Sequence, residues 1–251
     1  MKQKLEKLTD YIITSNSIVF FGGAGVSTES GIPDFRSKDG LYNQLDIQFE
    51  KYQPEYLLSH ECLIDEPKVF YEYYRQKMDA RGFEPNITHK VLAKLEAQGK
   101  LSAVITQNID GLHQKAGSKA VYELHGTTEK NYCSWCKKAY PSDYIFISKE
   151  PVPKCECGGM VRPYVTLYGE GLPEDAWSQS IAALQQADML IVAGTSLTVY
   201  PAANLVRYFA GKHLVVINRE PLKLPINDDT DIVIQGSMGE VFAELDKNLI
   251  E

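Results

Sequence analysis

The stretch that decides the fold is Phe20-Phe21-Gly22-Gly23-Ala24-Gly25-Val26-Ser27-Thr28-Glu29-Ser30-Gly31-Ile32-Pro33-Asp34-Phe35-Arg36. An apolar β-type run leads into it from Ser17 and breaks abruptly into glycine. A strand that ends in Gly-x-Gly and continues into small hydroxyl residues brings backbone N–H groups close to a pyrophosphate. Thr28 stands where Gly-x-Gly-x-x-Gly needs its third glycine, so the loop does not predict an ordinary hydride-transfer site.

The composition bounds the class of protein. The 251 residues suffice for one medium domain or for a domain that carries an insertion, and 44% of them are apolar. A net charge of −7 argues against a general nucleic-acid binder, so we expect no direct nucleic-acid binding. The N-terminal residues alternate charged with apolar side chains, and no stretch approaches the length of a membrane span. We therefore expect a cytoplasmic protein with no membrane partner.

Short apolar runs alternate with helical patterns along most of the chain. Besides the run at 17–21, strands are predicted at 103–106, 121–124, 189–193, 214–217 and 231–234. Helical spacing of apolar residues is found at 5–12, 91–95, 202–209 and 241–245. Pro201 begins the third of these helices, and Ser237 and Glu240 form a capping box for the last. The alternation predicts an α/β fold with a Rossmann-like, doubly wound parallel sheet.

Two segments, 41–85 and 129–160, do not follow this alternation. The first is rich in tyrosine and the second holds a cysteine cluster. We interpret them as insertions that form a smaller, helical and metal-binding domain. The Rossmann-like domain then comprises 1–40, 86–128 and 161–251, and the cleft between the two is the expected binding site.

The cysteine cluster has the spacing C-x2-C-x18-C-x-C and consists of Cys133, Cys136, Cys155 and Cys157. Two close pairs supply four thiolates, which fill the tetrahedral coordination of zinc and leave no open position for catalysis. The pattern therefore predicts one structural zinc ion. The alternatives are a redox dithiol at the first pair or thiols that bind no ligand. A nucleic-acid-binding zinc ribbon is disfavoured, because the flanking residues contain lysines but no arginine-rich stripe.

Polar groups follow four of the predicted strands, at the edge where open α/β sheets bind ligands. They are the segments Thr106-Gln107-Asn108-Ile109-Asp110-Gly111-Leu112-His113, Glu123-Leu124-His125-Gly126 and Gly194-Thr195-Ser196-Leu197-Thr198, and the single residue Asn218. His125 is a candidate general base, although a single histidine is more often structural. His113 is ambiguous, and Asn218 suits either a nucleotide contact or a turn. The coincidence of four such loops is more specific than any one of them.

Together these segments resemble the sirtuins, NAD-dependent protein lysine deacylases, and in particular the bacterial type. The resemblance also includes Gly31-Ile32-Pro33-Asp34-Phe35-Arg36, Arg162-Pro163, Gly169-Glu170-x-Leu172-Pro173 and Tyr200-Pro201, and so extends over nearly the whole chain. It implies a Rossmann-type domain, a small zinc lobe, and a cleft that holds NAD and an acyl-lysine protein or peptide.

The resemblance also implies roles for individual residues. His125 and Asn108 would be catalytic. NAD would be bound by Gly23, Ala24, Gly25, Thr28, Asp34, Phe35, Arg36, Gln107, Asn108, Ile109, Asp110, His125, Gly194, Thr195 and Ser196, with Asn218 as a further candidate. The acyl-lysine substrate would lie against Val165, Thr166, Tyr168, Gly169 and Glu170, and the four cysteines would hold the zinc.

In the chemistry implied by the resemblance, nicotinamide leaves NAD as the acyl oxygen attacks the ribose C1′. Asp110 and the Ile109 backbone would hold the carboxamide, and Phe35 would shield the exposed ribose from water. His125 would act as general base through the ribose hydroxyls. The products would be free lysine, nicotinamide and 2′-O-acyl-ADP-ribose, so that NAD is consumed and no hydride moves.

The chain departs from the family pattern at positions that concern the substrate. Gly22 stands where sirtuins often have threonine, and Thr166 and Tyr168 stand where they usually have aliphatic or aromatic residues. Their hydroxyls could favour an acyl group with a polar atom or merely line a wall. Sirtuins that remove acidic acyl groups carry Tyr-x-x-Arg, whereas here Arg75 follows Tyr71 by four residues, so desuccinylation is disfavoured.

Three alternatives to protein deacetylation remain. They are a deacylase that prefers another acyl group, a protein mono-ADP-ribosyltransferase, and a non-catalytic NAD sensor. The last is disfavoured because Asn108, Asp110 and His125 are all present. The sequence does not specify the substrate proteins or the oligomeric state.

Overall fold

The computed structural model describes residues 1–35, 37, 40–43 and 47–248. The strands are β1 Ile18–Gly22, β2 Leu101–Thr106, β3 Val121–Glu123, β4 Gly126–Cys133, β5 Ala139–Pro141, β6 Val161–Val165, β7 Met189–Ala193, β8 His213–Asn218 and β9 Ile232–Gln235. The α-helices are α1 Lys2–Thr14, α2 Pro54–Leu57, α3 His60–Asp65, α4 Pro67–Lys77, α5 Ile87–Ala97, α6 Leu112–Ala116, α7 Asp143–Phe146, α8 Glu174–Gln186 and α9 Met238–Asn248. Short 3-10 helices span Ala24–Val26, Thr28–Ser30, Leu41–Asn43, Ile47–Phe49 and Ala202–Tyr208.

A six-stranded sheet with the order β3-β2-β1-β7-β8-β9 forms the centre of the molecule. Every pairing in it is parallel, which confirms the predicted doubly wound sheet. β1 and β7 are buried at every residue, as expected for strands covered on both faces. The strand order reverses where β1 lies between β2 and β7, so the carboxyl ends of these strands form the switch point at which such sheets bind ligands.

Alternate residues of β1 enter the hydrophobic cores on the two faces of the sheet. Phe20 packs with apolar residues of α1, α5 and α9. Phe21 packs on the opposite face with residues of α8 and of the 3-10 helix Ala202–Tyr208. That 3-10 helix replaces the helix predicted after Pro201, which serves as its N-cap. The Ser237 hydroxyl accepts a hydrogen bond of 3.4 Å from the Glu240 amide, which is one half of the predicted capping box, and donates one to the carboxylate of Glu29.

A second, antiparallel sheet with the order β5-β4-β6 lies outside the parallel one. With α2, α3, α4 and α7 it encloses its own core, which includes Phe70, Tyr71 and Tyr74; we call this unit the small lobe. β4 begins at Gly126 and β6 spans Val161–Val165, so strands that adjoin the predicted insertions complete the lobe. The domain boundaries remain a prediction. Among the described residues, no helix has the length and apolarity that a membrane crossing needs.

Candidate active site

The loop after β1 packs directly against the loop after β7. The amide of Gly25 donates a hydrogen bond of 2.8 Å to the carbonyl of Gly194. A Cβ atom on Gly25 would lie 2.8 Å from the Cα of Gly194, and one on Gly23 would lie 2.9 Å from the Cβ of Thr195. Gly194 has a φ of +58°, in the left-handed region. The two loops can therefore approach this closely only because glycine, which has no side chain, occupies these positions.

Ser27 joins the glycine loop to the loop after β2. Its hydroxyl donates a hydrogen bond of 2.6 Å to Oδ2 of Asp110 and accepts one of 3.0 Å from Nδ2 of Asn108. Ser27 is only 1% exposed. The sequence analysis did not select it as a site residue, because a serine in a loop gives no sign of the partners that its hydroxyl meets in the fold.

Both oxygens of the Asp110 carboxylate are held by donors. Oδ1 accepts a hydrogen bond of 2.9 Å from the amide of Leu112, and Oδ2 accepts the one from Ser27. Gly111, with a φ of +72°, makes the intervening turn. Burial raises the pKa of Asp110, and the bonds from Ser27 and Leu112 oppose that rise by favouring the charged form. The carboxylate thus has a fixed orientation beside Asn108.

Gln107 connects three parts of the site. Its side-chain amide donates a hydrogen bond of 2.9 Å to the hydroxyl of Thr195, and its backbone amide donates one of 3.0 Å to the carbonyl of Gly22. Its backbone carbonyl lies 2.8 Å from Nδ1 of His125. The loops after β1, β2 and β7 and the turn after β3 are therefore linked at one edge of the sheet.

The partner of His125 defines its tautomer. A carbonyl oxygen can only accept a hydrogen bond, so Nδ1 of His125 carries the proton and Nε2 keeps its lone pair. Burial lowers the pKa of His125, and the hydrogen bond to Gln107 offsets part of that change. The ring is therefore neutral at neutral pH and can accept a proton at Nε2, as a general base must.

The segment predicted to bind the peptide adjoins His125. The amide of Thr166 donates a hydrogen bond of 2.9 Å to the carbonyl of His125. Tyr168 forms a parallel β-bridge with Ser59, at the start of α3 in the small lobe. The Tyr168 hydroxyl lies 2.9 Å from that of Tyr42, whose ring packs edge-on against Phe35 at a centroid distance of 5.4 Å. Phe35, Tyr168 and Val165 thus all pack against the core of the small lobe.

The remaining predicted NAD residues have mostly local contacts. Oδ1 of Asp34 accepts a hydrogen bond from the Ser37 amide, and the Thr28 hydroxyl donates one to the Gly25 carbonyl. Ser196 shares a hydrogen bond with Thr198 at the end of β7. Asn218 donates to the carbonyl of Glu220, which favours the turn interpretation for its side chain. Arg36 lies outside the described residues.

His113, left ambiguous by the sequence, is buried beneath the site. Its ring lies 4.7 Å from that of His89, which takes part in the N-terminal cap of α5. Burial lowers the pKa of His113 to about 3 and that of His89 to about 4, so both rings are neutral. These contacts indicate a packing role.

The four cysteines of the small lobe converge as predicted. Their sulfur atoms all lie within 4.8 Å of one another, with Cys133 and Cys157 3.5 Å apart and Cys136 and Cys155 3.6 Å apart. A zinc ion with bonds of about 2.3 Å to four sulfurs would separate them by about 3.8 Å. The sulfur positions therefore fit one tetrahedral zinc ion.

The arginine closest to the family's Tyr-x-x-Arg position is bound to the backbone of the small lobe. Arg75 donates hydrogen bonds of 2.9 and 2.7 Å to the carbonyls of Ile145 and Glu150. The Tyr71 hydroxyl donates one of 2.7 Å to the carbonyl of Val161. Both side chains therefore tie α4 to the zinc-bearing part of the lobe, which agrees with the expectation that desuccinylation is disfavoured.

The structure has a parallel sheet with polar loops at its switch point, a neutral histidine beside them and a cysteine cluster in an attached lobe. These features are typical of α/β proteins that bind a nucleotide and a metal ion. The Sir2 family pattern matches residues 23–201. A protein from Clostridium acetobutylicum, named NAD-dependent protein deacetylase, is 51% identical over 239 residues, covering 95% of this chain and 96% of its own. A protein of the same name from Clostridium perfringens is 50% identical and covers 98% and 99% of the two chains.

Solved structures agree with these relatives. A Sir2 structure described as containing a p53 peptide and NAD+ has a TM-score of 0.83 and 37% identity, and covers 98% of this chain and 99% of its own. A Sir2 H116A structure with a deacetylated p53 peptide and 3′-O-acetyl ADP-ribose has a TM-score of 0.85 and 36% identity, and covers 97% and 98%. This chain belongs to the Sir2 family, which confirms the resemblance and the fold inferred from the sequence.

Proposed function

We propose that this protein is an NAD-dependent protein deacetylase, which transfers the acyl group of an acyl-lysine side chain to ADP-ribose and releases nicotinamide. The observation that carries the proposal is the neutral His125, with Nε2 available, beside the network of Ser27, Asn108 and Asp110. Relatives that are about half identical over nearly their full length bear the name of this activity.

The residues at the switch point suit NAD as the second substrate. A side chain at Gly23 or Gly25 would clash with the neighbouring loop, and the backbone of Gly23, Ala24 and Gly25 would bind the diphosphate. The amides of Gln107 and Asn108 can bind ribose hydroxyls, and Gly194, Thr195 and Ser196 offer hydroxyls and backbone at the end of β7. Thr28, Asp34, Phe35 and Arg36 would complete the contacts, with Asn218 at the far end.

Each residue near the reacting carbon has a task that its chemistry allows. Asp110 and the Ile109 backbone would hold the nicotinamide carboxamide, because the carboxylate is already oriented by Ser27 and Leu112. Phe35 would exclude water from the ribose. His125 would take the proton from a ribose hydroxyl at Nε2, so that this oxygen can attack the acyl carbon. No hydride is transferred, which agrees with Thr28 in place of a third glycine.

Acetyl is the acyl group that the small lobe favours over succinyl. Arg75 and Tyr71 are engaged with backbone carbonyls, so neither would pair with a substrate carboxylate without losing those bonds. The peptide would lie along Val165, Thr166, Tyr168 and Gly169, at the segment joined to His125. The four cysteines would hold a structural zinc ion that takes no part in the reaction, and the cytoplasm, where thiols stay reduced, suits such a site.

The test is an assay of the purified protein with NAD and one peptide that carries acetyl, a longer acyl group or succinyl on the same lysine. We expect deacetylated peptide, nicotinamide and O-acyl-ADP-ribose in equal amounts, and little turnover of the succinyl peptide. His125→Ala should lose at least about 100-fold in kcat, the usual contribution of a general base, while its zinc content stays unchanged. ADP-ribose attached to protein, with no free O-acyl-ADP-ribose, would instead establish the transferase alternative.

A further inference from the structure

The Glu170 carboxylate is bound by donors from three parts of the chain. Arg162 in β6 makes a two-pronged ion pair with it, with Nη1 to Oε1 at 2.6 Å and Nη2 to Oε2 at 2.9 Å. The amide of Leu167 donates a hydrogen bond of 3.0 Å to Oε2, and Nδ1 of His60 lies 2.8 Å from Oε1. The side chains of Glu170 and Arg162 are 20% and 11% exposed. Such paired, partly buried contacts are among the strong polar interactions of proteins.

The charge state of Glu170 keeps this cluster intact. Partial burial works against the carboxylate form, but the bonds from Arg162, Leu167 and His60 outweigh it and lower the pKa of Glu170 to about 2. The carboxylate is therefore ionised at any pH at which the enzyme would work. Arg162 also donates a hydrogen bond of 3.2 Å to the carbonyl of Val165.

Two of these contacts hold the backbone of the segment predicted to bind the peptide, residues 165–169. Arg162 holds its first residue, Val165, and Glu170 holds the amide of Leu167. Between them, the amide of Thr166 binds the carbonyl of His125. Further along, the backbone of Tyr168 exchanges hydrogen bonds of 3.0 and 2.9 Å with Leu58 and His60, where α3 begins. One carboxylate thus connects His60 of the small lobe, Arg162 of β6 and Leu167, which directly follows the residue bonded to His125.

We infer that Glu170 is a positioning residue whose carboxylate, together with Arg162 and His60, holds the segment 165–169 in the conformation that receives the acyl-lysine peptide. The inference rests on the proposed function. It differs from the expectation that Glu170 contacts the substrate, because the donors already named occupy both carboxylate oxygens. A segment that is ordered before binding loses less conformational entropy when the peptide arrives, so this cluster contributes to peptide affinity without touching the peptide.

The test compares Glu170→Gln and His60→Ala with Glu84→Gln as a matched control. Glu84 also pairs with a cation, Lys115, but its side chain is 79% exposed and lies outside the cysteine cluster. We expect the peptide KM to rise about tenfold in Glu170→Gln and about threefold in His60→Ala, as for the loss of a charged and of a weaker hydrogen bond. The KM for NAD should change by less than about twofold in either variant, and the control should match the wild type.

A second readout separates positioning from direct contact. Peptide affinity is measured by fluorescence anisotropy without NAD, with acetyl-lysine flanked either by arginines or by alanines. Positioning predicts that Glu170→Gln weakens both peptides by the same factor, whereas a direct contact would weaken the arginine peptide more. Equal peptide affinity in Glu170→Gln, His60→Ala and the wild type would overturn the inference. Should Glu170→Gln fail to fold, the half-exposed His60→Ala still decides.

The two proposals fail in different ways. A wild-type protein that turns over no acyl peptide with NAD contradicts the proposed function itself. A wild-type protein that deacetylates normally, with variants of unchanged peptide KM, contradicts only the role of the Glu170 carboxylate.

Discussion

Ser27→Ala removes a hydroxyl that satisfies two groups of the site at once. In the wild type this hydroxyl lies 2.6 Å from the Asp110 carboxylate and 3.0 Å from the Asn108 amide, and it is buried. A hydrogen bond to a charged group contributes about 1.5–3 kcal/mol, and an alanine leaves the carboxylate with one donor fewer. That free energy corresponds to a loss of roughly 10- to 100-fold in kcat/KM for NAD, since about 1.4 kcal/mol is tenfold.

The same change lowers stability in a pH-dependent way. Burial already raises the pKa of Asp110, and losing the Ser27 donor raises it further. A carboxyl group whose folded pKa lies above its unfolded value stabilises the fold at low pH and loses that contribution as the pH rises through the folded pKa. The loss of stability in Ser27→Ala should therefore be largest at neutral pH, where Tm falls by about 3–12 °C, and should become smaller as the pH is lowered.

The assays for Ser27→Ala are initial rates at varied NAD and thermal unfolding across the pH range. Ser102→Ala is the control, because the Ser102 hydroxyl likewise makes two hydrogen bonds. Its partners are a backbone carbonyl and a second hydroxyl near the start of β2, at the opposite edge of the sheet. Its kcat/KM for NAD should equal that of the wild type. Wild-type kcat/KM in Ser27→Ala, or a Tm deficit that grows on acidification, would refute the reasoning.

Three further outcomes follow from the described geometry. The midpoint at which kcat falls on the acid side should lie below pH 6.5, the ordinary pKa of histidine. The reason is that burial lowers the pKa of His125, so that the base stays neutral to lower pH. A midpoint above pH 6.5 would contradict the assignment of His125 as the base. Cys157→Ser should lose the single zinc per chain, measured by elemental analysis, and with it several degrees of Tm. Gly25→Ala should lower the free energy of unfolding by about 1–3 kcal/mol and abolish NAD binding, because its Cβ meets the Gly194 backbone. Gly171→Ala is the control and should bind NAD normally, because a Cβ at Gly171 has nothing within 4 Å.

The sequence predicted the parallel sheet because its strands are covered on both faces and therefore read as continuous apolar runs. His125 and Asp110 were found because they follow such runs, at the edge where ligands bind. The role of Ser27 was not predictable, since its partners come from a loop more than 80 residues away. Nor could the spacing of Arg162 and Glu170 show that the two side chains meet beneath the segment between them.

Other differences have local physical causes. α8, which the sequence analysis missed, begins after Pro173 and carries two acidic residues in its first turn, so its start was readable. The helix after Pro201 is of the 3-10 type over Ala202–Tyr208, a distinction that apolar spacing cannot make over so few residues. The antiparallel sheet of the small lobe was not predicted, since β4 is mostly polar, β5 has only three residues, and β6 pairs with β4 from far along the chain.

The ladder between β4 and β6 connects the cysteine cluster to the segment predicted to bind the peptide, so we expect metal binding and peptide binding to be thermodynamically linked. At one end Cys133 is paired with Val161, and at the other Gly126, next to His125, is paired with Val165. The five paired residues of β6 span about 14 Å, so loosening the zinc end should disturb the register of the strand that leads into the peptide segment. Because such coupling is reciprocal, an acetyl-lysine peptide should raise the affinity for zinc, measured by competition with a chelator, by the same factor by which zinc raises the affinity for the peptide. The metal would then act as an effector of substrate affinity from the other end of a shared strand pair.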